Sequence, residues 1–579
     1  MALVWGLPNL TWPTRLRPNI WDAVALPIVL GLVALLAYGS EVITAPFEVG
    51  QQIAISLDPT NLPIYALRTV LRMAAALIAS LVFSLAYAAI ASKSRQAEKL
   101  LVPALDILQS VPILGFEAIA VTPFIALFPG SLLGVECAAI FAIFTSQAWN
   151  MTFSLYQSFR TVPGELNEAA RMYHLTPWQT FWKLEVPHAM PGLVWNAMMS
   201  VSGGWFFVVA SEALTVNGQT ILLPGIGSYI SQAIDHRDLP AIFYAILAML
   251  IVILLSDQLF FRPLLAWSQK FKNEMSGEEE LERPWFLITL QRARVFDLMA
   301  WLLDLVREGL RQALGRITPR RAIKPIEQGP PSPIVDWGVN VVLVTASAAA
   351  AWELIRYIVD AVPLAEIGHC ILIGGFTATR VIVLIALASV IWVPIGVWVG
   401  LRPRLAARVQ PVIQFLAAFP ANLVFPIAVI GVETFKLSPE IWLSPLMILG
   451  TQWYILFNVI GGTMAIPSEL HYAAQNLRVG GLLWWRRVIL PGIFPAYVTG
   501  ALTAAGGSWN AAIVAEIVSW GNDTLRATGI GAYIKDNTDK GDFPRIALGI
   551  AILCLYVILF NRLLWRRLYN LAAEKLRLD

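Results

Sequence analysis

The chain has 579 residues, of which 57% are hydrophobic and only 14% are charged, with a net charge of +3. A soluble globular chain carries about 25% charged residues, so this composition excludes that class and indicates an integral membrane protein. The small net charge gives no basis for nucleic-acid binding. Three distant cysteines and five histidines show no metal-binding or catalytic spacing, so we expect neither kind of site.

Apolar runs in chain order predict twelve transmembrane helices, because a bilayer core needs roughly 20 apolar residues per helix. Those of the first half lie near 22–39, 66–91, 102–128, 133–158, 188–214 and 240–261. Those of the second half lie near 336–359, 376–401, 411–432, 441–464, 492–519 and 544–562. No segment alternates over the ten or so residues of a membrane strand. The expected fold class is therefore an all-α integral membrane protein.

The distribution of lysine and arginine predicts the orientation of the chain. With the N-terminus in the cytoplasm, most of the 41 basic residues fall in segments on the inner side, as in other multi-pass proteins. Basic clusters at 93–99, 402–408 and 562–567 are examples. We therefore expect both termini to lie in the cytoplasm.

The two halves repeat one another at a shift of 304 residues. The matched pairs are Pro163 and Pro467, Ala169-Ala170 and Ala473-Ala474, Pro187 and Pro491, Trp205 and Trp509, Glu212 and Glu516, and the Gly-Ile-Gly sequences at 225–227 and 529–531. Six helices per half in the same orientation predict a parallel repeat. The chain then divides into a first repeat at 1–262, a cytoplasmic linker at 263–333 and a second repeat at 334–579.

The linker differs in composition from the repeats. Its sequence "RARVFDLMAWLLDLVREGLRQAL", at 292–314, places apolar residues at helical spacing opposite charged ones. This pattern is typical of a helix that lies on the membrane surface. A cytosolic helix packed on a partner protein remains the alternative.

A polar segment with an Ala-Ala pair and a terminal proline lies between long apolar runs in each half, at 163–187 and 467–491. This pattern resembles the EAA motif of ABC importer permeases. The flanking sequences resemble the nitrate, sulfonate and taurine class of these permeases. The resemblance implies the type I ABC importer permease fold, in which the motif forms a cytoplasmic coupling helix that docks on an ATPase subunit.

Four residues in each segment correspond to the motif and are implied to couple the chain to its ATPases. They are Glu168, Ala169, Ala170 and His174 in the first segment, and Tyr472, Ala473, Ala474 and Arg478 in the second. The glycine of the family motif is His174 or Arg478 here, and its glutamate is Tyr472 in the second copy. Glycine allows turns that other residues enter reluctantly. We therefore expect the coupling helices to bend differently or to grip their ATPases unequally.

The resemblance also implies partners and a location. ATP and Mg would be bound by two separate ABC ATPase subunits, because the chain contains no P-loop sequence and no cofactor site of its own. A periplasmic or lipid-anchored solute-binding protein is expected on the outer side. The expected location is the inner membrane of a bacterial or archaeal cell.

Matched polar and aromatic residues are candidates for the substrate pathway, since ionisable groups in membrane helices usually face the bundle interior. The candidates are Arg72, Arg380, Trp205, Trp509, Asn510, Glu212 and Glu516. Two interpretations of the charged candidates stay open. The arginines form a positive mouth for an oxyanion, or each forms a structural ion pair with the glutamate of its own half. The tryptophans are either gate residues or interior packing.

These observations predict a transport permease and not an enzyme. We expect the chain to be the fused, duplicated permease of an ATP-driven ABC importer that moves a small anion by alternating access between its halves. One alternative is an ion-coupled secondary transporter or channel. The other is an ABC permease for a different small solute, such as a metal chelate or an amino acid.

Overall fold

A computed structural model describes residues 53–110, 112–216, 219–271, 288, 333–521 and 523–575. The predicted span at 22–39 and the predicted linker helix at 292–314 lie outside the described residues.

The chain forms two compact units. Of the described residues, the smaller unit contains 162–194, 255–271 and 288. The larger unit contains the others. The two segments that resemble the EAA motif, 163–187 and 467–491, are called the coupling segments after the role that the resemblance implies. The first belongs to the smaller unit, whereas the second belongs to the larger one.

The first half consists of ten helices and one β-hairpin within the described residues. In chain order they are α1 (Leu62–Lys93), α2 (Arg95–Ser110), α3 (Ile113–Leu127), α4 (Leu133–Arg160), α5 (Gly164–Met172), α6 (Pro177–Thr180), α7 (Val186–Ser211), β1 (Ala213–Val216), β2 (Gln219–Leu222), α8 (Ile226–Asp235), α9 (Leu239–Ser256) and α10 (Arg262–Ser268).

The second half repeats this order from α12 onwards, except that the counterpart of α4 is divided into α15 and α16; α11 precedes the repeat, and the matching part of the first half lies outside the described residues. Its elements are α11 (Pro333–Ala361), α12 (Leu364–Gly400), α13 (Pro403–Ala418), α14 (Phe425–Thr434), α15 (Pro439–Trp442), α16 (Gln452–Met464), α17 (Ser468–Asn476), α18 (Gly481–Trp484), α19 (Leu490–Ala515), β3 (Ile517–Trp520), β4 (Asp523–Arg526), α20 (Ile530–Lys540), α21 (Phe543–Phe560) and α22 (Arg566–Lys575).

The described residues contain seven helices that are long and apolar enough to cross a membrane, or up to nine if each of two bent pairs is one span. One bent pair joins α13 to the helical segment that ends with α14, at 76°, and the other joins the segment of α15 to α16, at 45°. Every predicted span in the described part coincides with a helix or a broken helix. This confirms the all-α membrane fold class, whereas the number of twelve spans stays a prediction.

Small residues bring α1 and α4 together. Ala76, Ser80, Ser84 and Ala88 recur every fourth residue on α1, and all four are buried. Ser84 donates to a backbone carbonyl of α4 at 3.1 Å, and Thr152 of α4 donates back to the Ser84 hydroxyl at 2.9 Å. Small residues at helical spacing permit close approach of membrane helices, and their hydroxyls link the two backbones.

Glycines serve the same purpose in the second half, where α12 packs on α16. A side chain at Gly396 would meet Val459, and one at Gly400 would meet the carbonyl oxygen of Ile460 at 2.9 Å. Gly396 and Gly400 form a GxxxG pattern, which lets two helix backbones approach closely.

Two β-hairpins, which the sequence did not predict, follow α7 and α19 directly. In the first hairpin β1 pairs with β2, and in the second β3 pairs with β4, both in antiparallel register. The predicted spans 188–214 and 492–519 were therefore too long at their C-terminal ends. The chain turns back at Glu212 and Glu516 because the helix after each hairpin binds the carboxylate of that glutamate.

The duplication extends to irregular features of the backbone. A π-helical turn precedes both α7 and α19, at Phe181–Glu185 and Trp485–Ile489. A second matched pair follows α9 and α21, at Asp257–Phe261 and Asn561–Trp565. Both pairs obey the shift of 304 residues, so the two halves share local backbone conformation as well as element order.

Candidate functional site

A cluster of one arginine and two carboxylates is buried between helices of the first half. Arg72 on α1 donates to both oxygens of the Glu136 carboxylate on α4, from Nε at 2.6 Å and from Nη2 at 2.7 Å. Its Nη1 donates to Glu212 at 2.7 Å. Arg72 is 3% exposed, and both glutamates are buried. Two carboxylates therefore compensate the arginine charge in a site closed to solvent.

Further donors hold the Glu212 carboxylate at the start of α8. Thr69 Oγ1 and the backbone N–H of Gly227 each donate to it at 2.6 Å. A helix N-terminus favours a negative charge, so this position stabilises the carboxylate. A side chain at Gly225 would overlap this carboxylate, and one at Gly227 would overlap the carbonyl oxygen of Val209. The close approach of backbone and carboxylate requires both glycines.

The second half builds the same arrangement from matched residues. Thr377 Oγ1 donates to Glu516 at 2.6 Å, and the N–H of Gly531 donates to it at 2.7 Å. Arg380 Nη1 donates to Glu516 at 3.2 Å, and Nη2 donates to Glu440. Glu440 lies 304 residues after Glu136, so each arginine binds the same two carboxylate positions in its own half.

The second cluster is nevertheless more open than the first. The Arg380 side chain is 14% exposed, and that of Glu440 is 48% exposed. The backbone N–H of Thr528 donates to Glu440 at 2.9 Å, and its hydroxyl donates at 2.6 Å. The matched residue of the first half is Pro224, which has no N–H to donate. Glu440 is therefore held partly by the loop before α20, whereas Glu136 is held by Arg72.

The two ion pairs that the sequence analysis gave as one of its two interpretations are both present. Arg72 pairs with Glu212 and Arg380 pairs with Glu516. Because Arg72 also binds a second carboxylate, its positive charge is already neutralised where an anion would have to meet it. The roles of these residues in a substrate pathway stay predictions.

The other pathway candidates lie in the interior of the larger unit. Trp205 and Trp509 are both buried, and the Trp509 ring packs edge-on against Phe560 at 6.2 Å between centroids. Asn510 Oδ1 accepts a hydrogen bond of 2.7 Å from the N–H of Ile113. Ile113 is the first residue of α3, so Asn510 of the second half caps a helix of the first half.

The turns of the two coupling segments have the same backbone conformation. His174 has φ 50° and Arg478 has φ 51°, in the left-handed region that glycine favours. In the first turn Leu175 N donates to the carbonyl oxygen of Ala170 at 3.0 Å, and in the second Val479 N donates to that of Ala474 at 2.8 Å. At His174 and Arg478 the expected difference in bend is absent, because both side chains enter the glycine conformation. The segments do differ three residues later, where Gly481 has φ 59° and its counterpart is Pro177.

The Ala-Ala pairs are only partly available to a partner. Ala170 and Ala474 are buried within their own units, while Ala473 is exposed. Glu168 and Tyr472 are exposed beside them. Any contact with an ATPase at these segments therefore has to use the flanking side chains more than the second alanine of each pair.

A cavity of about 470 Å³ lies beside the hairpins within the larger unit. Matched residues of the two halves line it, among them Ala213 and Ile517, Ser231 and Lys535, and Asp235 and Asp539. Lys535 pairs with Asp539 at 2.9 Å. Burial raises the pKa of Asp235, which the neighbouring His236 partly offsets. The charged groups that line the cavity are thus two carboxylates and one ammonium.

Among the described residues, no group of three or more His, Cys, Asp or Glu side chains is placed to hold a metal ion. The carboxylates of the two clusters are occupied by arginine, threonine and backbone donors.

Known proteins match this chain in both halves. The sequence profile of the family described as "Binding-protein-dependent transport system inner membrane component" matches residues 83–262 and again residues 392–568. The two matches together cover more than half of the chain. The chain belongs to this family. It is a multi-pass inner membrane permease in which the family domain is duplicated and fused.

Individual permeases are similar to about a third of the chain. The bicarbonate transport system permease protein CmpB of Synechococcus elongatus is 30% identical over 184 residues, which are 32% of this chain and 63% of that protein. The nitrate import permease protein NrtB of Leptolyngbya laminosa is 27% identical over 32% of this chain and 62% of its own length. The taurine transport system permease protein TauC of Escherichia coli is 25% identical over 33% of this chain and 66% of its own length. The chain thus spans less than two thirds of each of these relatives.

The sequence analysis did not identify Glu136 and Glu440, which each belong to one of the two clusters of an arginine and two carboxylates. The signal was available, because the same shift of 304 residues that matches Glu212 with Glu516 matches these two glutamates. An ionisable residue in a membrane segment that recurs at the repeat distance is the pattern that would have identified them.

Proposed function

We propose that this permease supplies both transmembrane halves of an ATP-driven importer. The two coupling segments carry the proposal, since each half of the duplicated chain has one and their turns share a backbone conformation. ATP hydrolysis takes place in separate ATPase subunits that bind ATP and Mg. Movement of these subunits against the coupling segments rocks the two halves and exposes the substrate path alternately to either side.

The proposed orientation places both termini and both coupling segments in the cytoplasm. The proposal is supported by the excess of lysine and arginine in the segments that this orientation places on the inner side of the membrane. The hairpins and the neighbouring cavity then lie towards the outer side, where a solute-binding protein delivers substrate. The proposal keeps the division into repeats at 1–262 and 334–579 with a cytoplasmic linker.

A small anion is the proposed substrate. Support comes from the similar permeases, whose names refer to bicarbonate, nitrate and taurine. Each arginine binds two carboxylates, but Arg380 is the better candidate for contact with an anion, because its side chain is 14% exposed against 3% for Arg72 and its bond to Glu516 is longer, 3.2 Å against 2.7 Å for Arg72 and Glu212. Arg72, closed off by two carboxylates, serves packing of the first half.

The charges of the cavity favour a second candidate within the same mechanism, a solute that carries both a positive and an anionic group. A bare anion would meet Asp235 and the Asp539–Lys535 pair, which together repel it. A zwitterion places its cationic group near Asp235 and its anionic group near Lys535. The cavity volume of about 470 Å³ lies within the usual range of small-molecule sites.

Uptake into proteoliposomes tests these proposals. The chain is purified with its ATPase subunits, reconstituted, and supplied with ATP, its solute-binding protein and labelled nitrate, bicarbonate or taurine. ATP-dependent uptake of at least one of these solutes is the expected result. Uptake that needs an ion gradient but no ATP would instead establish a secondary transporter. An Asp235→Asn variant that loses taurine uptake and keeps nitrate uptake would favour the zwitterion.

A further inference from the structure

The two coupling segments, residues 163–187 and 467–491, share several backbone features but expose different side chains. Each contains a nine-residue helix, a left-handed residue and a π-helical turn at matched places. Glu168 and His174 therefore occupy the same places on their segment as Tyr472 and Arg478 do on theirs. The backbones differ at the start of the following short helix, where Gly481 has φ 59° and its counterpart is Pro177, which cannot adopt that angle.

The first difference is in charge. Glu168 is matched by Tyr472, and His174 is matched by Arg478, and all four side chains are exposed. The first segment presents a carboxylate where the second presents a phenol. The second segment presents a guanidinium where the first presents an imidazole. A partner that complements both segments has to offer a cation to Glu168 and an anion to Arg478.

The second difference is in shape. Tyr173 is matched by Leu477, and Trp178 is matched by Leu482, and these side chains are largely exposed. Trp178 also packs edge-on against Trp182, with 5.6 Å between ring centroids. At these two positions the first segment thus presents aromatic side chains, and the second presents aliphatic ones. Large aromatic anchors at interfaces occupy pockets of matching size on the partner.

We propose that the two coupling segments bind two non-identical ATPase subunits. The subunit at the first segment has a docking groove with a basic residue for Glu168 and a pocket of aromatic size for Trp178. The subunit at the second segment has a groove with an acidic residue for Arg478 and a narrower apolar pocket for Leu482. This inference rests on the proposed function and specifies its partner.

Two identical grooves would serve these segments poorly. A groove cation that pairs with Glu168 would be left without a partner opposite Tyr472, and leaving a buried charge unpaired is costly at an interface. A pocket that fits Trp178 would leave a void around Leu482, which also costs binding energy. Charge and shape therefore both favour a pair of different subunits.

The experiment uses the full chain, tagged and purified from its native host in mild detergent. Mass spectrometry of the purified complex identifies the P-loop ATPase polypeptides and their number per chain. Two different ATPase polypeptides, one of each per chain, are expected. Two copies of a single ATPase polypeptide would overturn the inference and leave the proposed function intact. A chain without any P-loop ATPase would overturn the proposed function as well.

Exchange of the distinguishing residues assigns each ATPase to a segment. One variant carries Glu168→Tyr with His174→Arg, and the other carries Tyr472→Glu with Arg478→His. Residues 174 and 478 are non-glycine and left-handed in the wild type, so the exchange adds no new backbone strain. Each variant is expected to reduce one ATPase species at least about tenfold and to retain the other.

A matched control uses the position that the segments share. One variant carries both Glu165→Gln and Glu469→Gln, which replace exposed, identical residues. Any loss of bound ATPase is therefore expected to affect both ATPase species alike. Retention of both species by both exchange variants, or an equal loss of both, would contradict the assignment. Size-exclusion profiles of the variants separate a loss of docking from a loss of folding.

Discussion

Glu136 and Glu440 lie 304 residues apart and bind the arginines of their own halves, yet the first is buried and the second is half exposed. The two glutamates also differ in the partner that one other matched position offers them. Thr528 offers Glu440 an N–H and a hydroxyl, whereas Pro224 has no N–H to offer. The second cluster can thus separate with the carboxylate of Glu440 still hydrogen-bonded. The first cannot open without leaving buried charges unpaired.

The two arginines are therefore expected to differ in their contribution to stability. Arg72→Gln leaves Glu136 and Glu212 buried without a cation, and loss of one partner from a buried ion pair costs about 3–5 kcal/mol. Arg380→Gln is expected to cost clearly less, because Glu440 reaches solvent and keeps its bonds to Thr528. Thermal unfolding of both variants in detergent measures the difference.

The control for this comparison is Arg356→Gln. Arg356 forms an exposed pair with Asp360 at 3.6 Å, and exposed pairs contribute about 0–1 kcal/mol. Equal destabilisation by Arg72→Gln and Arg380→Gln would show that burial does not distinguish the two clusters.

Substitution of Gly225 or Gly529 by alanine is expected to destabilise the protein. An added methyl group would overlap the carboxylate of Glu212 or Glu516, and such overpacking costs about 1–3 kcal/mol or more. Gly461→Ala is the matched control, since no atom lies within 4 Å of its added methyl group. The yield of folded protein and its unfolding temperature are the measurements. A Gly225→Ala variant as stable as Gly461→Ala would refute the close approach.

Loss of the Asn510 side chain is expected to loosen the start of α3. Asn510→Ala removes the acceptor of the Ile113 N–H, and loss of such a helix cap costs about 1 kcal/mol. Amide hydrogen exchange at Ile113 should become faster, while exchange within α19 should change little. Thr503→Ala, which removes an exposed hydroxyl that bonds only within its own helix, is the control. Unchanged exchange at Ile113 would contradict the cap.

The cavity should make stability depend on pH through Asp235. Burial raises the pKa of this carboxyl above its ordinary value of 3.8, so the folded protein binds the proton more tightly than the unfolded chain. The resulting stabilisation is present below pH 3.8 and is lost as the pH rises through the raised pKa. Asp235→Asn should therefore stabilise the protein at neutral pH more than in acid.

Asp539→Asn provides the opposite case in the same cavity. Asp539 pairs with Lys535 at 2.9 Å, so its removal is expected to leave stability unchanged or lower at neutral pH. Unfolding temperatures of both variants between about pH 4 and pH 7 test the two signs. A gain from Asp539→Asn as large as that from Asp235→Asn would contradict the difference in pairing.

The sequence by itself determined the helices, the duplication and the two coupling segments of this permease. These features are local or periodic, because length and apolarity predict a span and a constant shift of 304 residues identifies a repeat. The sequence also identified Arg72 and Glu212 as a candidate ion pair. It could not choose between an ion pair and an open positive mouth.

Only the tertiary structure decided which groups meet. Arg72 reaches Glu136 across 64 residues and Glu212 across 140, through the packing of helices that lie far apart in the chain. The cap that Asn510 provides for Ile113 spans 397 residues. Such contacts depend on how helices pack against one another, and no local pattern of apolar and polar residues specifies that packing. The turn at Glu212 is decided in the same way, because its carboxylate is satisfied only once the following helix has folded back onto it.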